Sequence, residues 1–315
     1  MSSLHLSGKI EEIFSKIHFD GEVRFMEPMK NHASLKIGGP ADIFLIPRDP
    51  SSLKNLLTTL KREEIPYFPL GGGTNVLIKD GGIEGAVVSL KLLRRIEVLS
   101  EDDEHVHLHV EAGIPLQRLV TFSREHGYTG IEWLVGIPGL LGGAICGNAG
   151  AFGSEIQDLL TDVWLMDANG MLNRFHKEDI HFGYRSSSIS MKDIVVAGEL
   201  RLRKDTKEDI SSRIEHFMRK KREQQPISES SAGCVFKTPP GMSAGKLIDE
   251  AGCKGMSIGD IEVSRVHANF FINRGQGKAS DFLRLMGEVI QRVKERFGFI
   301  LEPEIKIVGR ECVNG

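Results

Sequence analysis

The chain has only four cysteines, Cys146, Cys234, Cys253 and Cys312, and none of them forms a Cys-x-x-Cys pair. Neither a zinc site nor a disulfide framework is indicated, and a reduced compartment is expected. No apolar run approaches the length that a bilayer-spanning helix needs, so no membrane partner is expected. The opening Met1-Ser2-Ser3-Leu4-His5 lacks a charged segment followed by an apolar core. No signal peptide is therefore expected, and the cytoplasm is the simplest location. A net charge of −3 leaves no nucleic-acid footprint. Two common nucleotide signatures are missing as well. No glycine-rich loop ends in Gly-Lys-Ser/Thr, and no Gly-x-Gly-x-x-Gly opens a helix. Internal repeats and low-complexity segments are absent.

What the chain does have is glycine in two clusters. Gly71, Gly72 and Gly73 follow an apolar run and lead through Thr74 and Asn75 into Val76, Leu77 and Ile78. The second cluster runs Gly136-Ile137-Pro138-Gly139-Leu140-Leu141-Gly142-Gly143-Ala144-Ile145-Cys146-Gly147-Asn148-Ala149-Gly150. Consecutive glycines can turn backbone N–H groups inward, at positive φ where required. Such a nest suits a pyrophosphate. The second cluster mixes glycine with apolar residues and suits close backbone approach to a flat, apolar ligand. Either cluster alone ordinarily marks a turn. Together they point to a cofactor that is both a diphosphate and an aromatic ring, which describes a flavin dinucleotide.

At 315 residues the chain exceeds a single core, and two or three domains are expected. An apolar fraction of 40% and a charged fraction of 26% are ordinary for a soluble globular protein. Ile10, Ile13, Phe14 and Ile17 are spaced for one face of a short helix. A strand at 41–47, a helix from Pro50 carrying Leu53, Leu56, Leu57 and Leu60, and short strands around the first glycine cluster form an opening α/β unit. From Arg94 the pattern becomes α+β: strands at 96–99 and 106–111, a helix at 115–125 closed by Gly127, strands at 162–166 and 194–202, and a hairpin signal at Asn169-Gly170. His105, His107 and His109 fall on one strand face. A metal site there is conceivable, but a polar outer face beside a solvated, acidic edge is preferred, and no metal is expected. Charged residues from Lys204 to Asp209 lead into a helix with Ile210, Ile214, Phe217 and Met218. Then come a helix near 244–251, a strand near 268–273, a long helix through Phe282 and Val293, and a final strand at 299–308. The expected division is 1–92, 93–205 and 206–315.

The two glycine clusters in this order, the second closed by Asn148-Ala149-Gly150-Ala151, resemble the two-subdomain flavin-binding unit of the vanillyl-alcohol oxidase superfamily. Further motifs narrow the likeness. Gly183-Tyr184-Arg185-Ser186-Ser187 resembles the Tyr-Arg-x-Ser motif of the UDP-N-acetylenolpyruvoylglucosamine reductase family. Ala232-Gly233-Cys234-Val235-Phe236-Lys237-Thr238-Pro239 is similar to its Gly-Ser-x-Phe-Lys-x-Pro motif. Ala244-Gly245-Lys246-Leu247, His267-Ala268-Asn269-Phe270 and Leu301-Glu302-Pro303-Glu304-Ile305 follow in family order, so the likeness runs from Asn31 to about Gly309. The short interval after Ser187 resembles the shorter subtype, without an extra tyrosine-bearing loop.

The resemblance implies an FAD-dependent oxidoreductase of peptidoglycan precursor synthesis, with a C-terminal α+β substrate domain. NADPH would be the reductant and UDP-N-acetylglucosamine enolpyruvate the substrate, its carboxyvinyl ether becoming the lactyl ether of UDP-N-acetylmuramate. A monomer is expected. Another flavin oxidase of the superfamily and a non-catalytic flavin-binding protein are the alternatives. By the same resemblance Gly71, Gly72, Gly73, Thr74, Asn75, Gly136, Pro138, Gly139, Gly143, Ala144, Asn148, Ala149 and Gly150 would bind FAD. Tyr184, Arg222, Lys237, His267 and Asn269 would meet the substrate or the dinucleotide.

Three chemical tasks follow: bind the carboxylate, stabilise an enolate and deliver a proton to carbon. Arg185 suits the first two, because a guanidinium offers a planar fork and stays charged. Glu304 could protonate or hydrogen-bond the enolate oxygen if burial raises its pKa. Glu302 falls on the same face by strand alternation, and the choice of Glu304 rests on the family motif. Cys234 departs from the family, which usually has serine at the carbon acid. A free thiol, with a pKa near 8.5, is a far stronger acid than an alcohol. It is also more open to oxidation.

Overall fold

The computed structural model describes residues 19–239 and 241–312. The helix expected around Ile10, Ile13, Phe14 and Ile17 lies outside the described residues. The chain divides into two compact units that alternate along the sequence. The first comprises Met1–Glu27, Asp42–Gly71 and Gly85–Phe217; the second comprises Pro28–Ala41, Gly72–Glu84 and Met218–Gly315.

In the first unit the helix Pro50–Arg62 starts where the sequence signals it. Asp49 caps it by accepting the Ser52 N–H at 2.7 Å, proline occupies its first turn, and Leu53, Leu56, Leu57 and Leu60 are buried. The strand Tyr67–Leu70 that follows runs parallel to Ile83–Ser89, Tyr67 opposite Ala86. The larger sheet is antiparallel, in the order Leu172–His176, Leu160–Met166, Ile194–Lys204, His105–Glu111, Ile96–Glu101, with Tyr128–Thr129 also pairing on Ile194–Lys204. Val106, Leu108 and Val110 point into its core, while the three alternating histidines are half-buried. The acidic stretch Glu101 to Glu104 that precedes the histidines is exposed, as expected of a solvated edge. The histidine strand lies inside the sheet, and the edge is Ile96–Glu101. Among the described residues no three metal-ligating side chains converge. Helix Leu116–His126 ends on Gly127 at φ +75°, the left-handed stop that the sequence marked.

The second unit is assembled from distant segments. Val76–Ile78 pairs in parallel with Lys306–Val308, a partner some 230 positions later by their register, Val76 opposite Lys306. Ser257–Ile258, Ile261–Val263 and Phe271–Asn273 form an antiparallel sheet. The long helix Ala279–Phe297 packs Phe282, Leu285, Val289 and Val293 into a core with Leu35, Leu77, Phe236 and Phe271. Its own N-cap position, Lys278, supplies no side-chain cap. Asp80 does so instead, accepting the Ala279 and Ser280 N–H groups at 2.8 and 3.0 Å. Loss of such a cap costs about 1 kcal/mol. Asp80→Ala is expected to lower the denaturant midpoint accordingly and Asp80→Asn to restore most of it; an unchanged midpoint in the alanine variant would show that the cap is energetically idle.

The expected strand at 299–308 is shorter than the pattern suggested. Regular pairing is confined to Lys306–Val308. Proline at 303 lacks an N–H, and 301–305 instead meets residues 235–237 through separate bonds.

Candidate active site

In the first unit, the second glycine cluster contains a helix, Leu141–Cys146, which the expected loop did not include. A Cβ at Gly142 would lie 2.9 Å from the Ala112 Cβ, so this glycine lets the helix sit against the sheet. Gly143 is the opposite case: it is exposed, and a Cβ there would lie 4.0 Å from the Gly71 Cα. Gly71, Gly136, Gly139, Ala149 and Gly150 are half-buried and Pro138 is exposed, whereas Ala144 and Asn148 are buried. The two clusters thus present bare backbone at Gly71 and Gly143. That surface fits the close approach of a flat ring, which a side chain at either position would obstruct. In the second unit Gly73 (φ +65°) is a packing residue. A Cβ there would fall 1.9 Å from the His32 carbonyl oxygen, and its own carbonyl accepts the Ser34 N–H at 2.9 Å. Gly72 and Thr74 are half-buried and Asn75 is exposed.

Arg185 sits at the tip of a two-residue hairpin in which Phe182–Gly183 pairs with Ser186–Ser187. Its φ of +55° belongs to the left-handed region. For a residue with a Cβ that conformation costs about 1–2 kcal/mol, and strain of this kind persists only where neighbours enforce it. Arg185 Nη1 donates to the Gly150 carbonyl at 2.8 Å, and its guanidinium lies 5.8 Å from the ring centroid of the exposed Tyr184. Asn148 donates to the Gly183 carbonyl at 3.0 Å and to Glu155 Oε2 at 2.8 Å. Ser187 Oγ donates to the Cys146 carbonyl at 2.8 Å.

In the second unit Cys234, Asn269 and Glu304 belong to one backbone ladder. Cys234 bridges Phe270, and Phe236 bridges Pro303. The Val235 N–H donates to Asn269 O, while the Val235 carbonyl accepts the Glu304 N–H, each at 2.8 Å. Asn269 is 2% exposed. Its side chain accepts the Phe236 N–H at 2.9 Å and donates to the Phe236 carbonyl at 2.7 Å. The side chain that the sequence offered to substrate is therefore engaged with backbone. Asn75 donates to the Glu304 carbonyl at 3.4 Å. Glu302 and Glu304 are not equivalent, because the alternating strand that would align them is absent. Glu302 is exposed and pairs with Lys237 at 3.4 Å, whereas Glu304 is half-buried. In the helix Lys207–Gln224 the expected Arg222 is exposed, and the residue turned inward is Lys221, 3% exposed. The run Lys220-Lys221-Arg222 marked the turn of the helix but not which cation faces inward.

His267 Nδ1 accepts the Asn269 N–H at 3.2 Å. Burial holds its pKa below the ordinary 6.5, with Lys254 adding in the same sense against an opposing backbone hydrogen bond. The folded state thus resists a proton that the unfolded chain takes, and stability falls as pH drops through 6.5 toward the folded value. Urea midpoints measured between pH 7.5 and 5.5, to about half a unit, are expected to decline more steeply in the native chain than in His267→Gln. Equal slopes would remove His267 from the account.

A family model described as an FAD binding domain matches residues 41–176. The first unit's bare glycine surface and this match define a flavoprotein oxidoreductase. A second model, the C-terminal domain of UDP-N-acetylenolpyruvoylglucosamine reductase, matches residues 225–308. The reductase of that name from Geotalea uraniireducens is 42% identical over 92% of this chain and 95% of its own length. The one from Caldanaerobacter subterraneus is 42% identical over 97% and 99%. The crystal structure of the Thermus caldophilus reductase superposes with a TM-score of 0.77 at 34% identity, covering 92% of this chain and 99% of that one. The chain belongs to the UDP-N-acetylenolpyruvoylglucosamine reductase family. It is an FAD-dependent enzyme of peptidoglycan precursor synthesis. Among the described residues no helix is long and apolar enough to cross a membrane.

Proposed function

We propose that this chain reduces UDP-N-acetylglucosamine enolpyruvate to UDP-N-acetylmuramate with NADPH as reductant, and that Arg185, Cys234 and Glu304 carry the chemistry. The observation that supports these roles most directly is the ladder through Val235, which fixes Cys234 and Glu304 on adjoining backbone. The bare backbone around Gly71, Gly136, Gly139 and Gly143 would hold the flavin, with Gly72, Thr74 and Asn75 as further contacts and Gly73 as their structural support. FAD, when bound, supplies hydride transfer from NADPH to the methylene carbon of the substrate.

As that carbon gains hydride, negative charge grows on its neighbour and spreads into the carboxylate. Arg185 binds the carboxylate and stabilises the charge, as a preorganised cation does where charge develops. Glu304 hydrogen-bonds the enolate oxygen. Cys234 delivers its thiol proton to the carbon. Tyr184, Lys237 and His267 would line the nucleotide-sugar path, and Lys221 is better placed than Arg222 to meet a diphosphate, because its charge is turned inward. Asn269 serves by holding the Cys234 segment. In this reading residues 1–92 and 93–205 form the flavin-binding part and 206–315 the substrate domain, in a monomer of the cytoplasm.

The test is spectroscopic. The purified protein should be yellow, bleach with NADPH and recover its colour on addition of the enolpyruvyl substrate without oxygen. Acid precipitation should leave all colour in the supernatant. Recovery with oxygen alone, or no recovery with substrate, would favour an oxidase or a non-catalytic flavoprotein.

A further inference from the structure

Arg185 holds a backbone conformation that it would not choose. It takes a turn position with φ +55°, where tight turns ordinarily place glycine or asparagine. The hairpin that carries it has only two paired positions on each side, so its own ladder is too short to enforce the strain. The enforcement comes from the segment around the second glycine cluster. Asn148 grips the strand before the tip through the Gly183 carbonyl, and Ser187, on the strand after the tip, grips the Cys146 carbonyl. Asn148 is wholly buried, and its own φ is +42°. Its amide oxygen faces the Gln157 N–H at 3.4 Å, and its amide nitrogen also reaches Glu155 Oε2, which in turn accepts Gln157 Nε2 at 2.5 Å. The side chain is thus fixed at both ends.

We infer that Asn148 and Ser187 are positioning residues for Arg185: they clamp both strands of its hairpin, hold the left-handed turn, and so set where the guanidinium meets a substrate carboxylate. Asn148 then acts through its side chain on the hairpin and not as a contact to the cofactor. The inference rests on the reading of Arg185 as the carboxylate-binding residue.

A double-mutant cycle tests it. Asn148→Gly removes the amide while accommodating the positive φ, and Ser187→Ala opens the other strand should the first variant fail to fold. Either variant should retain FAD and be reduced by NADPH at the native rate, while reoxidation by substrate slows by about tenfold. On an Arg185→Ala background the same changes should have almost no further effect, because the residue they position is gone. In the FAD-free protein, amide hydrogen exchange in 182–187 should accelerate in each clamp variant. Loss of FAD from Asn148→Gly, or an undiminished effect of either change on the Arg185→Ala background, overturns the inference alone. A native reoxidation rate in Arg185→Ala overturns the reading beneath it and the inference together.

Discussion

Cys234→Ala is expected to lose on the order of a hundredfold or more in turnover, the usual contribution of a positioned proton donor. The flavin of this variant should still be reduced by NADPH, because that step does not call on the thiol. Cys234→Ser is expected to keep substantial activity, since a hydroxyl fits the same place on the ladder beside Val235 and is the family's usual choice at this motif position. The half-buried thiol lies at a backbone bridge to Phe270. Alkylation should inactivate the native enzyme, more slowly with substrate bound, and should spare the active serine variant. Cys146, also half-buried, and the exposed Cys312 are present in both proteins, which makes the serine variant the internal control. Full turnover by the alanine variant would exclude Cys234 and leave Glu304 or a water molecule as the donor.

Arg185→Ala should divide the catalytic cycle in the same place but for a different reason. Removal of one charge-stabilising group commonly costs about a hundredfold or more. The loss should fall on reoxidation by substrate, with FAD binding and reduction by NADPH preserved. Arg185→Lys keeps the charge but loses the planar fork, and it should recover only part of the rate. Because the guanidinium also donates to the Gly150 carbonyl, FAD content must be measured alongside the rates. Native reoxidation in Arg185→Ala would place the carboxylate elsewhere.

The elements were legible wherever local chemistry decided them. Pro50 with its four leucines, the Gly127 stop and the Asn169-Gly170 turn all read correctly because propensity and packing agree there. The glycine clusters pointed to FAD, which the family match supports, but the sequence does not say which glycines are there for packing. Gly73 and Gly142 answer to steric limits set by His32 and Ala112, which are distant in sequence and carry no local mark. The helix Leu141–Cys146 escaped notice because glycine-rich sequence weakens the helical signal that tertiary packing then overrides. Asn269 is a substrate contact by resemblance alone, and both ends of its amide meet the backbone of a residue 33 positions away. That Lys221 is buried and Arg222 exposed was not legible either, since three adjacent cations leave the inward direction to the packing of the helix.

The capping of Ala279–Phe297 by Asp80, and the pairing of Val76–Ile78 with Lys306–Val308, bear on how the chain matures during synthesis. The strand Val76–Ile78 emerges early, but its strand partner among the described residues, Lys306–Val308, is made some 230 positions later. Gly85–Phe217, all in the other unit, is synthesised in that interval. Domains generally fold as units as the chain emerges, so this stretch can consolidate while the edge of Val76–Ile78 waits unpaired. Closing contacts of such separation makes the second unit the slower to form. A ribosome stalled anywhere before residue 306 would hold an incomplete second unit with an open apolar strand, a natural substrate for chaperones and for proteases.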